Sequence, residues 1–128
     1  MEKFMSKLAL IIEDDRDLAS IFAEALRGIG FEVENALDGK AARERLIHGA
    51  TPFLILLDMH LPHISGKDLL LNVMKKDERF NTSWIMITTA DARLAEELRD
   101  QVDFAMIKPI LFGQLRDLAA RLKPKDEI

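Results

Sequence analysis

Phe53-Leu54-Ile55-Leu56-Leu57-Asp58-Met59-His60-Leu61-Pro62 carries five consecutive apolar residues straight into a carboxylate. An unbroken apolar run of this length, bounded by turn chemistry, reads as a strand of a parallel sheet buried on both faces. The flanks agree: Thr51-Pro52 precedes the run, and Pro62 and Gly66 follow it. Asp58 then falls at the carboxyl end of a central strand, the edge at which open α/β sheets bind ligands. The plain alternative is that Asp58 merely caps the next turn, and the strand alone does not separate the two.

Outward from this strand the chain repeats one pattern. Leu8 to Ile12 is a second short apolar run, ended by Glu13-Asp14-Asp15. Leu18, Ile21, Phe22, Ala25, Leu26 and Ile29 then recur at helical spacing, with Asp15 or Asp17 as N-cap and Gly30 as the stop. Phe31 to Ala36 alternates apolar and polar, as an outer strand does. Asp38-Gly39 is a turn, and Ala41, Ala42, Leu46 and Ile47 give a helix ending near Gly49. Beyond Asp58, Leu69, Leu70, Val73 and Met74 mark a third helix, closed by the polar stretch Lys75 to Thr82. Trp84 to Ile87 is a fourth strand, ending in Thr88-Thr89, followed by a weak helix from Asp91 to Asp100. Phe104 to Ile107 is a fifth strand closed by Lys108-Pro109, and Leu111, Leu115, Leu118, Ala119 and Leu122 form the last helix. Five βα units in succession predict an α/β domain whose parallel sheet has helices on both faces.

Composition bounds what such a domain does. A chain of 128 residues is large enough for one domain with its own core, here residues 1–128 with the core over about 7–122 and short flexible tails. A net charge of −4 gives no field for binding nucleic acid or an anionic membrane. The absence of cysteine excludes disulfides, thiolate catalysis and cysteine-based metal sites. Leu8 to Ile12 is too short for a signal sequence, and no apolar stretch is long enough for a bilayer. A cytoplasmic location is the expectation, with no membrane and no nucleic-acid partner for this chain.

The residues that close the strands carry the chemistry. The first, third, fourth and fifth strands end in Glu13-Asp14, Asp58, Thr88 and Lys108, and in a doubly wound sheet these ends share one edge. Three carboxylates gathered there repel one another, so a proton or a cation must sit among them. With oxygen donors only, the ion should be hard, and Mg²⁺ suits because it needs one or two carboxylates and keeps positions for water and phosphate oxygens. Lys108 offers a point charge to an anion and Thr88 a hydroxyl donor. Charge neutralisation with positioned donors is what phosphoryl transfer requires.

The pattern Glu13-Asp14-Asp15, then Asp58 with Met59-His60-Leu61-Pro62 and Gly66, then Thr88, then Lys108-Pro109, resembles the receiver domain of two-component response regulators. It spans Lys7 to Leu122, and the order and spacing of the motifs together are far more specific than any one of them. The resemblance implies a flavodoxin-like fold, a five-stranded sheet of order 2-1-3-4-5. It implies that Asp58 is the phosphoacceptor, that Glu13, Asp14, Asp58 and the His60 carbonyl hold Mg²⁺, that Thr88 rather than Thr89 bonds a phosphoryl oxygen, and that Lys108 forms the ion pair. A cis Lys108-Pro109 bond also belongs to the pattern. The implied function is a phosphorylation-dependent switch, not a turnover enzyme. Its phosphodonor would be a sensor histidine kinase or histidine phosphotransfer protein, and its output contact with a protein target that the sequence does not name. No DNA-binding or catalytic output domain lies within the chain.

The family pattern is broken at Ala105. Receivers carry Tyr or Phe three residues before the lysine, and the neighbouring Phe104 should point to the opposite face by strand alternation. Without a rotamer at Ala105, the segment from Thr88 to Asp100 is expected to carry the signal, the alternative being a poorly coupled domain that acts through the local charge of the phosphoryl group alone.

Other residues read more plainly. His48, His60 and His63 lack the spacing of a metal site. Trp84 is a partly buried packing residue, Met5, Met59, Met74, Met86 and Met106 fill core or loops, and Asp15 serves either as N-cap or as a third acid of the metal site. The charged tail from Lys123 to Glu127 is a solvated helix end. A flavin-binding relative is disfavoured because Glu13-Asp14-Asp15 would repel the flavin phosphate, and a phosphate-loop NTPase because G-x-x-x-x-G-K-[ST] is missing. The remaining alternative is a receiver-like binding or scaffold module that is never phosphorylated.

Overall fold

A computed structural model describes residues 7–125. Its five strands are β1 (Lys7–Ile12), β2 (Phe31–Ala36), β3 (Leu54–Asp58), β4 (Trp84–Thr89) and β5 (Phe104–Ile107). All pair in parallel, in the order β2-β1-β3-β4-β5. The helices are α1 (Arg16–Arg27), α2 (Gly39–His48), α3 (Gly66–Asp68), α4 (Ala92–Leu98) and α5 (Phe112–Ala120).

Strand alternation sorts the core into two layers. Ala9, Ile11, Leu54, Leu56, Met86 and Met106 meet Phe22 and Leu26 of α1 and Leu115 and Ala119 of α5 on one face. Leu10, Ile12, Ile55, Leu57, Ile85 and Ile87 meet Ala42 and Leu46 of α2, Leu69 and Leu70 beyond α3, and Leu98 of α4 on the other. Every residue of β3 is buried, as its unbroken apolar run requires. Met59, Met74, Met86 and Met106 are all buried, whereas Met5 lies outside the described residues. Phe104 stacks on Trp84 with ring centroids 6.0 Å apart. It belongs to the α1/α5 face while Ala105 packs on the other, as alternation demands.

Asp15 is the N-cap of α1, its carboxylate accepting from the amides of Asp17 and Leu18. The helix ends at Arg27 with Gly28 as C-cap, ahead of the expected stop at Gly30. Gly30 instead supplies a φ of 102° in the turn into β2, a value glycine adopts without steric cost. The helix after Asp58 changes winding: Gly66–Asp68 is α-helical and Leu69–Met74 runs on as a π-helix. The stretch expected only to close it forms a 3-10 turn, Glu78–Thr82, that buries Phe80.

The charged tail, expected to be a solvated helix end, is instead held against the sheet as far as Lys125, while Asp126 and Glu127 lie outside the described residues. The Trp84 indole N–H donates to the Lys123 carbonyl at 2.8 Å. Lys125 Nζ lies 3.0 Å from Asp103 Oδ2 and 5.0 Å from the Trp84 ring centroid. The indole donor and the acid at the start of β5 hold the chain after α5 against the amino-terminal edge of the sheet.

Candidate phosphoacceptor site

Alternation decides which polar groups meet at the carboxyl edge. Leu54 and Leu56 face α1 and α5, so Asp58 continues that face, and the same parity carries Glu13 beyond Ile11, Thr88 beyond Met86 and Lys108 beyond Met106. In the β3–β4 register Asp58 pairs with Thr88. Their neighbours Met59 and Thr89 point to the other side. The strands thus deliver two carboxylates, a hydroxyl and an ammonium to one crevice.

Glu13, Asp58 and Thr88 are buried, at 2%, 3% and 1% exposure. Lys108 Nζ donates to Glu13 Oε1 at 3.1 Å and lies 3.3 Å from Asp58 Oδ1. One ammonium therefore serves two buried carboxylates. The exposed Asp14 completes the acid set, and one carboxylate oxygen from each of Glu13, Asp14 and Asp58 falls within 4.8 Å of the others. The donor set is oxygen only, which fits a hard divalent cation such as Mg²⁺. Asp15 stays outside the cluster in its capping role, its amide donating to Glu13 Oε2 at 3.2 Å.

The crowding is visible in proton affinity. Burial, and then the charge of Asp58, push the Glu13 carboxyl up to about 7 against the Asp15 amide and Lys108, which favour its ionised form. For Lys108 burial works to lower the pKa, but the hydrogen bond to Glu13 and the charges of Asp58 and Glu13 outweigh it and hold it above the usual lysine value.

The loop after Asp58 is fixed by close backbone contacts. Gly66 N donates to the Met59 carbonyl at 3.3 Å, and a Cβ on Gly66 would lie 2.3 Å from the Asp58 carbonyl oxygen and 2.7 Å from Met59 Cα. Glycine is what lets α3 start directly above the end of β3. The His60 amide donates to Asp58 Oδ1 at 3.4 Å. Its imidazole Nε2 lies 3.3 Å from Thr89 Oγ1, a contact between the loop after β3 and the last residue of β4 that spacing in the sequence does not announce. The Lys108-Pro109 bond is cis, and Lys108 N donates to the Thr89 carbonyl at 2.8 Å.

The family model for the response regulator receiver domain matches residues 9–120. The chain belongs to this family. A Methanothrix harundinacea protein named as a probable methanogenesis regulatory protein, FilR2, is 29% identical over 126 residues, covering 91% of this chain and 81% of that protein. The receiver fold recurs in the chemotaxis response regulator CheY4 of Vibrio cholerae, with a TM-score of 0.81 and 20% identity over 91% of this chain and 98% of that one. It recurs in the Thermotoga maritima response regulator TrrA, solved in complex with Mg²⁺ and BeF, with a TM-score of 0.78 and 24% identity over 91% and 99% of the two chains. Receiver domains are switches of two-component signalling rather than turnover enzymes, and the expected sheet order is the observed one. No helix among the described residues is long and apolar enough to cross a membrane.

Proposed function

We propose that this receiver is switched by transfer of a phosphoryl group to Asp58 from the phosphohistidine of a sensor histidine kinase or histidine phosphotransfer protein. The observation that carries the reading is the single ammonium of Lys108 set against two buried carboxylates, 3.1 Å from Glu13 and 3.3 Å from Asp58. In the transfer an Asp58 oxygen attacks phosphorus, the O–P bond forms, the P–N bond breaks, and the donor's imidazole leaves with the bonding pair. Lys108 and the Thr88 hydroxyl are placed to bind phosphoryl oxygens as negative charge moves onto Asp58. Glu13, Asp14, Asp58 and the His60 carbonyl are the ligands for Mg²⁺, which when bound neutralises the carboxylates and the incoming phosphoryl charge. The output is contact with a downstream protein, and the setting of such a relay is the cytoplasm.

Incubation with acetyl phosphate and Mg²⁺ should add one phosphate, read by intact mass. The gain should vanish in Asp58→Asn and on adding EDTA. Undiminished labelling of Asp58→Asn would remove Asp58 from the role. A protein that takes no label from acetyl phosphate or from any histidine kinase tested would instead be an unphosphorylated binding module.

A further inference from the structure

Thr89 sits one residue beyond the Asp58-facing hydroxyl, on the opposite face of the sheet, and it is fully buried. Its hydroxyl is used twice. It accepts from the amide of Asp91 at 3.0 Å, and it meets His60 Nε2 at 3.3 Å. Asp91 is the N-cap of α4, its carboxylate accepting from the amides of Arg93 and Leu94. His60 in turn reaches Asp58 through its own amide, 3.4 Å from Oδ1. A continuous set of hydrogen bonds therefore runs from the Asp58 carboxylate through His60 and Thr89 to the first turn of α4.

The surroundings direct movement along this path. The far half of the β3–α3 loop is pinned: the Pro62 carbonyl accepts from the amides of Gly39 and Ile64 at 3.1 and 2.9 Å, and Gly66 is tied to Met59. His60, between these anchors, is exposed. At the other end α4 spans Ala92–Leu98 and buries only Ala95 and Leu98. A short element with so few buried apolar contacts shifts at low cost. The usual aromatic side chain on β5 is replaced by Ala105, which has no rotamer to change.

We infer that the His60–Thr89 contact is the coupling element of this receiver, relaying the state of Asp58 to the amino-terminal turn of α4. The inference rests on Asp58 being the phosphoacceptor. Phosphorylation turns Asp58 into an acyl phosphate: the carboxylate oxygen that bonds phosphorus becomes a bridging anhydride oxygen, the side chain loses its own charge as an acceptor for the His60 amide, and phosphoryl oxygens are offered farther out. The His60 amide follows them, and its imidazole changes its hold on Thr89. Movement of Thr88 toward the phosphoryl group displaces the adjoining Thr89 in the same event. Both inputs arrive at the hydroxyl that holds the Asp91 amide.

The test uses beryllofluoride with Mg²⁺ as a stable phosphoryl mimic and reads backbone amide shifts across the whole chain. The wild-type protein should show large changes at Met59 and Thr88 and throughout Asp91 to Leu98. Thr89→Val keeps the branched shape and removes the hydroxyl, so Met59 and Thr88 should still respond while the response of α4 is lost. Thr89→Ser should restore it. His60→Ala, in an exposed loop where folding is not at stake, should also silence α4. Full α4 shifts in Thr89→Val or His60→Ala would overturn the inference, as would loss of the α4 response in Thr89→Ser. A wild-type response at Met59 and Thr88 that stops short of Asp91 overturns the coupling alone. A wild-type protein with no response at Met59 and Thr88 overturns the phosphoacceptor reading and the coupling with it.

Discussion

Lys108 Nζ hydrogen-bonds Glu13 Oε1 at 3.1 Å, although the two residues come from the last strand and the first. The carboxylate is almost wholly buried, while a quarter of the lysine side chain is exposed. Such a pair neutralises charge that burial would otherwise penalise. The same ammonium neighbours Asp58, so it holds the metal-free site together and opposes a second cation there.

Two substitutions separate these roles. Asp14→Ala should abolish Mg²⁺ binding, because it removes an acid of the oxygen cluster. Lys108→Ala should leave Mg²⁺ affinity intact or raised and weaken beryllofluoride binding. It should also destabilise the metal-free fold by about 1–3 kcal/mol, since two buried carboxylates lose their counter-charge and the partly exposed site softens the loss. Calorimetric titration and urea unfolding measure the two effects. Equal loss of Mg²⁺ affinity in both variants would show that Lys108 does not act as placed here.

The raised Glu13 pKa fixes a pH dependence. Below 4.5 the carboxyl is protonated in both folded and unfolded chains and contributes nothing. From 4.5 to about 7 the unfolded chain releases the proton that the folded site retains, so stability falls with rising pH through that window, by on the order of 3 kcal/mol. Lys108, held above its usual value of 10.5, adds stability that is full below that value and is lost as the pH rises from it through the raised pKa. Glu13→Gln keeps the size and acceptor of Glu13 without the charge. It should be more stable than the wild type at pH 8 without metal, and the gap should close toward pH 4.5. Denaturant unfolding across this range, with and without Mg²⁺, measures it, and Mg²⁺ should narrow the pH 8 gap by stabilising the wild type more. A gap that does not change with pH contradicts the assignment.

Much of this site is legible in the chain because strand parity and strand ends are local properties. Phe53 to Asp58 fixes a buried strand and its polar end, and the same logic at Ile12, Ile87 and Ile107 yields the rest. Alternation also distinguishes Thr88 from Thr89 and sets Phe104 apart from Ala105. What is not legible depends on contacts across loops. The His60–Thr89 contact joins the loop after β3 to the last residue of β4, which meet only after the sheet has formed. Phe80 hides in a polar stretch whose single aromatic is its only signal. The tail reads as solvated because its charges are local, while the partners that hold it, Trp84 and Asp103, lie at the starts of β4 and β5.

Gly66 tests how closely the loop must approach Asp58. An alanine methyl would fall 2.3 Å from the Asp58 carbonyl oxygen, on backbone with little room to yield. Gly66→Ala should cost about 1–3 kcal/mol of stability, as overpacking does, and slow labelling by acetyl phosphate by displacing the loop that carries His60. Thermal unfolding and the labelling rate measure this, and a variant equal to the wild type in both would show that the loop moves freely.

Asp103 gives the last prediction, remote from the site. Its Oδ2 accepts from the Ile85 amide at 2.7 Å and from Lys125 Nζ at 3.0 Å, so one carboxylate ties the start of β4 to the chain beyond α5. Asp103→Ala leaves the part-buried Ile85 amide without its acceptor, a loss of about 1–3 kcal/mol. It also frees Lys125 from its place 5.0 Å from the Trp84 ring centroid. The sole tryptophan reports on this edge alone: its emission should shift to the red as the Lys123 carbonyl leaves the indole N–H. Lys125→Ala leaves the Ile85–Asp103 bond in place and should cost under about 1 kcal/mol, as partly exposed ion pairs do. The two variants therefore distinguish a backbone acceptor from a charge partner. Equal destabilisation by both would assign the effect to the ion pair, and an unshifted emission in Asp103→Ala would show that Trp84 holds the tail without it.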